Sequence, residues 1–66
     1  MPKGAGDEIY FEFAMQANVL KATAIDPKTG TEVSVIGPAS PAAREALKLA
    51  ALRKLQFVLK KKRGDV

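Results

Sequence analysis

The chain has 66 residues, of which 47% are hydrophobic and 27% are charged, and its formal net charge is +4. This length allows one small domain, and this balance is typical of a folded globular chain rather than a disordered one. Cysteine and histidine are both absent. Their absence excludes a disulfide framework, a thiolate nucleophile, a zinc–thiolate cluster and histidine as a general base or metal ligand.

The charge is distributed unevenly along the chain. Residues 1–37 hold three lysines against five acidic residues, giving −2, whereas residues 38–66 hold eight Lys or Arg against two acidic residues, giving +6. The N-terminus has no apolar run of signal-peptide length, and no run elsewhere approaches the ~20 residues that span a bilayer. We therefore expect a cytoplasmic protein whose basic character lies in its C-terminal half.

Two strands are predicted in the N-terminal third. Residues 1–7 contain proline and two glycines without periodicity, which indicates a flexible leader. From Glu8 the residues alternate between apolar and polar, as in a half-buried strand. After a break near residues 16–18, where Asn18 is expected to take the left-handed conformation of a tight turn, a second strand runs from about Val19 to Ile25.

The segment 26–30 predicts the second hairpin loop. Asp26 can cap the turn through its carboxylate, Pro27 presets φ, and Gly30 supplies a positive φ. A third strand runs from Thr31 to Ile36, and the Gly-Pro pair at 37–38 ends the sheet.

The strand registers follow from matching apolar faces. Pairing Phe11 with Ala22, and Ala22 with Val35, places every second residue of the three strands on one side of the sheet. The residues gathered there are Ile9, Phe11, Phe13, Leu20, Ala22, Ala24, Val33 and Val35.

A long helix is predicted after the sheet. Ser40 is a favoured N-cap, Pro41 a favoured first helical residue, and neither Gly nor Pro follows until after Lys62. The helical stripe expected to face the sheet consists of Leu47, Ala51, Leu52, Leu55, Val58 and Leu59. The sequence thus predicts an α+β domain at 8–62, a three-stranded antiparallel β-meander with one long C-terminal helix packed on one sheet face (β-β-β-α), and a flexible tail at 63–66.

One helix covers only one face of such a sheet, so apolar residues are left over. The candidate protein interface consists of Tyr10, Val19, Ile25 and Ile36 on the free sheet face, with Leu49 and Phe57 outside the helical stripe. A solvated sheet face with residues chosen for strand propensity is one interpretation. A surface that pairs with a second copy or another protein is the other, and small size favours it. We expect a protein-interaction module that self-associates through the free sheet face.

The basic helix end supports an alternative function. Nucleic-acid binding would use phosphate contacts from Arg53, Lys54, Lys60, Lys61, Lys62 and Arg63. These cations can equally be a solvated helix end that complements the helix dipole.

Residues able to perform chemistry are sparse. Ser34 and Ser40 have no histidine partner, the carboxylates of Glu8 and Glu12 suit a solvated strand, and the acidic residues are dispersed. We therefore expect no enzyme, no catalytic residue, no metal and no cofactor, and neither a membrane partner nor a small-molecule substrate.

Three segments carry a resemblance to a known family. Read together, EIYFEF (8–13), AIDPKTGTEVSVIGPAS (24–40) and ALRKLQFVLKKK (51–62) resemble a family of short, uncharacterised bacterial proteins. The stretch TGTEVS followed by GPAS is the most specific part. No activity is attached to that family, so the resemblance implies no functional residue.

Overall fold

The computed structural model describes residues 8–63, which form three strands and one helix. The elements are β1 (Tyr10–Gln16), β2 (Val19–Asp26), β3 (Thr31–Pro38) and α1 (Pro41–Arg63). The strands form one antiparallel sheet in the order β1-β2-β3. This confirms the predicted β-β-β-α architecture. The predicted leader at 1–7 and residues 64–66 of the predicted tail lie outside the described residues.

One of the two predicted registers is confirmed and the other is wrong. Ala22 pairs with Val35 between β2 and β3, as the apolar pattern predicts. Between β1 and β2, however, Phe11 pairs with Ala24 and Phe13 pairs with Ala22, so the predicted Phe11–Ala22 pairing is displaced by two residues. Because side chains alternate with period two along a strand, this displacement leaves every residue on its predicted face.

The first hairpin turn explains the displaced register. Gln16 pairs with Val19, so the turn contains only Ala17 and Asn18. The positive φ, 55°, belongs to Ala17, so the expectation that Asn18 takes this conformation is wrong. A two-residue hairpin turn places a positive φ at its first central position, which is occupied here by alanine.

The second turn forms as its residues predict. The Asp26 carboxylate accepts hydrogen bonds from the backbone N–H of Lys28 at 3.2 Å and from the hydroxyl of Thr29 at 2.9 Å. Gly30 has a φ of 75°, and its N–H donates to the Asp26 carbonyl at 2.8 Å. These bonds fix the β2–β3 turn, and with it the register of that pair.

The core lies between α1 and the sheet face that carries the alternating apolar residues. Ala22, Ala24, Ala51 and Leu55 are fully buried. The half-buried apolar residues packed against them are Ile9, Phe11, Phe13, Val33, Val35, Leu47 and Leu59. The small alanine side chains on β2 let the helix approach the sheet closely.

Hydrogen bonds hold α1 at both ends. The Ser40 hydroxyl accepts from the N–H of Ala43 at 3.1 Å, which is an N-cap bond. Near the other end, the Lys62 ammonium donates to the Thr31 hydroxyl at 3.1 Å. The helix therefore runs from the loop after β3 to the end of the sheet where β3 begins.

Candidate interaction surface

The sheet face that points away from α1 is a continuous surface free of helix contact in the described chain. We call it the open face. Strand pairing arranges its twelve positions as four cross-strand rows. In order along the sheet, the rows are Tyr10, Ile25 and Glu32; Glu12, Thr23 and Ser34; Ala14, Lys21 and Ile36; and Gln16, Val19 and Pro38.

A hydroxyl pair lies at the centre of the open face. The hydroxyls of Thr23 and Ser34 lie 2.9 Å apart and hydrogen bond across β2 and β3. Thr23 is buried although no other described element covers this face, because it occupies the central strand. The mutual hydrogen bond lowers the cost of covering these two hydroxyls.

Apolar side chains lie in three of the four rows of the open face. Ile36 is 67% exposed, Tyr10 is 51% exposed and Val19 is 47% exposed, whereas Ile25 is half-buried. A shallow depression near the first hairpin is lined by Ala14, Gln16, Val19, Lys21 and Ile36. The four predicted sheet residues of the interface therefore share one surface.

The two predicted helix residues of the interface lie elsewhere. Leu49 is exposed and lines a groove between α1 and β1 together with Phe11 and Leu52. Phe57 is also exposed, and the Lys61 ammonium lies 5.4 Å from the centroid of its ring. Because α1 covers the opposite side of the sheet, neither residue reaches the open face.

Most of the basic residues of α1 share one side of the helix. At 3.6 residues per turn, Arg53, Lys54, Lys60 and Lys61 fall within an arc of about 120°, and Lys62 lies outside it. Lys54 donates to the Ser34 carbonyl at the outer edge of β3, at 3.2 Å, and Lys62 donates to Thr31. Lys61 lies against Phe57, and Arg53 and Lys60 are exposed. Two of these predicted phosphate contacts are therefore already hydrogen bonded to β3.

A second partly uncovered surface was not predicted from the sequence. The helix packs over β2 and β3, so β1 lies beside it rather than beneath it. Met15, which shares the helix-facing side with Phe11 and Phe13, is 68% exposed. The widths of the elements could have predicted this surface. A helix about 10 Å across covers only about two strands that lie about 4.8 Å apart, so the third strand stays uncovered.

Cations lie over the two phenylalanine rings of β1. The Arg44 guanidinium carbon lies 4.3 Å from the ring centroid of Phe13, and the Lys48 ammonium lies 5.1 Å from that of Phe11. These distances are those of cation–π contacts. The long side chains thus shield part of the apolar surface that the helix backbone leaves open.

Two kinds of site are absent from residues 8–63. Their acidic side chains form no cluster of three or more that could hold a metal ion. Within the same range, α1 is too polar for a bilayer-crossing segment.

The fold and its surfaces define a small α+β domain with a three-stranded sheet covered on one side. Comparison with protein-family models assigns it further: the chain belongs to the family described as a domain of unknown function (DUF6898), whose model matches residues 6–62. None of the curated proteins and none of the solved structures compared with the chain matches it.

Proposed function

We propose that the domain is a non-catalytic interaction module that binds a second copy of itself through the open face. The observation that carries this proposal is the set of exposed apolar side chains beside a hydrogen-bonded hydroxyl pair. Ile36, Tyr10 and Val19 would gain from burial, and Thr23 and Ser34 already hydrogen bond to each other. Burial of the apolar side chains is thus the driving force for association.

The charges of the open face favour a second copy as its partner. Lys21 on β2 shares the open face with Glu12 on β1 and Glu32 on β3, so the face carries both signs. A twofold axis that crosses the strands between the second and third rows places Ile25 against Val19 of the second copy. The same axis brings Lys21 close to Glu12 of that copy, and such complementarity favours association and fixes orientation.

The experiment compares two variants that add the same charge in different places. Ile36→Glu puts a carboxylate on the open face beside its cross-strand neighbour Lys21, so the fold should persist. Ala42→Glu puts a carboxylate in the exposed first turn of α1, where the helix dipole favours it. Light scattering from micromolar to millimolar concentration should show at least tenfold weaker association for Ile36→Glu and unchanged association for Ala42→Glu. Equal association of the two variants would refute the proposal.

Nucleic-acid binding through the basic helix end is the alternative, and the charge imbalance of the C-terminal half favours it. Lys54 and Lys62 are already hydrogen bonded to β3, and this gives the alternative weaker support than the open face has. The two functions respond oppositely to salt. Phosphate binding weakens steeply as salt rises, whereas association of chains that each carry +4 is strengthened by screening. Titration of the labelled protein with DNA and RNA at low salt tests the alternative directly, and an absence of chemical-shift changes in residues 53–63 would exclude it.

A further inference from the structure

Within residues 8–63, the outer edge of β1 has backbone groups without strand partners. A two-residue turn makes its closing residues, Gln16 and Val19, a pair that exchanges both backbone hydrogen bonds. Bonding to β2 then falls on alternate residues of β1. The N–H and C=O groups of Phe11, Phe13 and Met15 therefore point away from β2, towards the free edge.

The opposite edge of the sheet is protected. On β3 the same alternation points the backbone of Ser34 outward, and the Lys54 ammonium donates to its carbonyl at 3.2 Å. Pro38, which also points outward, has no N–H to offer a further strand. A lysine and a proline are the devices by which natural sheets block edge pairing. In residues 8–62, no side chain forms a hydrogen bond with the backbone of β1.

The helix-facing side of β1 is also incompletely covered. Met15 is 68% exposed, and cations lie over Phe11 and Phe13 in place of a helix backbone. An unprotected edge and uncovered apolar side chains thus coincide on one strand. A strand added at this edge would satisfy the backbone groups and shield the apolar side chains together.

We propose that two copies of the chain pair along β1, antiparallel, with Phe13 on the twofold axis. This register uses all seven residues of β1 and stacks Phe11 of each chain against Met15 of the other. It also places Glu12 opposite Ala14 of the second copy. An axis at Glu12 would set two carboxylates directly opposite each other, and an axis at Ala14 would pair Phe11 with a turn residue.

This edge pairing goes beyond association through the open face and does not depend on it. The open face of one chain measures about 14 Å by about 23 Å, from strand spacings of about 4.8 Å and rises of about 3.3 Å. That flat outline covers roughly 320 Å², whereas each partner in a standard interface buries ~800 Å² of accessible surface, so the open face alone should associate weakly and require millimolar concentration. Joining two copies at β1 makes a continuous six-stranded sheet and doubles the open face, because the twofold axis keeps both helices on the same side.

The test separates the two surfaces by mass. Met15→Glu removes the apolar pair with Phe11 of the second copy at an exposed position that the fold tolerates, and Met15→Leu is its matched apolar control. With both surfaces active, sedimentation should give four copies for the native chain. Met15→Glu and Ile36→Glu should each give two copies, and the double variant a single chain. Edge association should be at least tenfold weaker for Met15→Glu, whereas Met15→Leu should associate as strongly as the native chain.

Failure of either proposal gives a distinct pattern. If Met15→Glu leaves the mass of the Ile36→Glu variant at two copies, the edge proposal is wrong and the open-face proposal is unaffected. If Ile36→Glu does not change the native mass, the open-face proposal is wrong. The comparison of Met15→Glu with Met15→Leu then still tests the edge proposal alone. A single-chain mass for the native protein at millimolar concentration refutes both.

Cysteine crosslinking tests the register. The chain has no cysteine, so each single substitution introduces one unique thiol. In the proposed register, Phe13→Cys faces its own copy across the axis with a Cα separation of about 5.5 Å, within the range for a disulfide. Glu12→Cys and Ala14→Cys lie one pair away and should crosslink at least tenfold more slowly. Faster crosslinking of either one would overturn the Phe13-centred register.

Discussion

Substitution of Ala14 gives the sharpest prediction, because charge there should act oppositely on the fold and on the edge dimer. Within one chain, Ala14 is the cross-strand neighbour of Lys21 on the open face. In the proposed dimer it lies opposite Glu12 of the second copy. Ala14→Lys therefore adds repulsion inside the chain and attraction between chains. Ala14→Glu does the reverse, and Ala14→Gln is the neutral reference.

The changes in the dissociation constant and in fold stability follow from the number of cross-strand charge pairs that each substitution creates. One directly opposed cross-strand charge pair contributes about 0.2–1 kcal/mol. Twofold symmetry doubles the pair with Glu12 to about 0.4–2 kcal/mol, which is a change of about twofold to about thirtyfold in the dissociation constant. The pair with Lys21 occurs once per chain and is partly offset by Glu12 two residues away. Fold stability should therefore change by only a few tenths of a kcal/mol.

Two measurements check the opposite signs. Sedimentation in the Ile36→Glu background gives the dissociation constant of the edge dimer, which should fall for Ala14→Lys and rise for Ala14→Glu relative to Ala14→Gln. Urea unfolding in the double Met15→Glu, Ile36→Glu background isolates the single chain, where Ala14→Glu should be more stable than Ala14→Lys. Both differences should shrink at high salt because the charges are exposed. Parallel changes in fold stability and association would refute the register, since a general effect on folding would produce that pattern.

Two further predictions concern the fold. Leu55→Ala leaves a cavity at the centre of the core and should lower the free energy of unfolding by about 2–5 kcal/mol, comparable with the ~3–5 kcal/mol that a core of this size supplies. Circular dichroism should then show a largely unfolded chain, whereas Leu52→Ala, at a half-buried position, should stay folded. A folded Leu55→Ala variant would contradict this core. Ala17→Gly removes the side chain at the positive φ of 55° and should stabilise the fold by about 0.5–1 kcal/mol. The melting temperature should then rise by roughly 4 °C, and a lower one would contradict the turn geometry.

The sequence predicted the elements well because their local signals agree with one another. Capping by Ser40, the turn chemistry of Asp26 and Gly30, and the alternation of the strands each identify a boundary independently. The β2–β3 register followed because its turn was read correctly. The β1–β2 register did not, because alternation distinguishes odd from even displacements and cannot detect a displacement of two. The two-residue turn at Ala17 and Asn18 sets that register, but alanine is an unfavourable residue for a positive φ and therefore did not indicate this turn.

The interaction surfaces were only partly predictable. Alternation correctly placed Tyr10, Val19, Ile25 and Ile36 on one face. A helical wheel shows that Leu49 and Phe57 leave the core stripe, but it does not show on which side of the molecule they lie. The exposure of Met15 depends on where α1 crosses the sheet, and this is set by packing across long sequence separations.

The bond from Lys54 to the Ser34 carbonyl has a consequence for how far assembly can proceed. A sheet that can pair at both edges can add copies without limit and grow into a fibre. A sheet that can pair at only one edge stops at a dimer, because each copy uses its single free edge to pair with the other. On this view, the Lys54 ammonium and Pro38 together separate a closed, countable assembly from open-ended polymerisation.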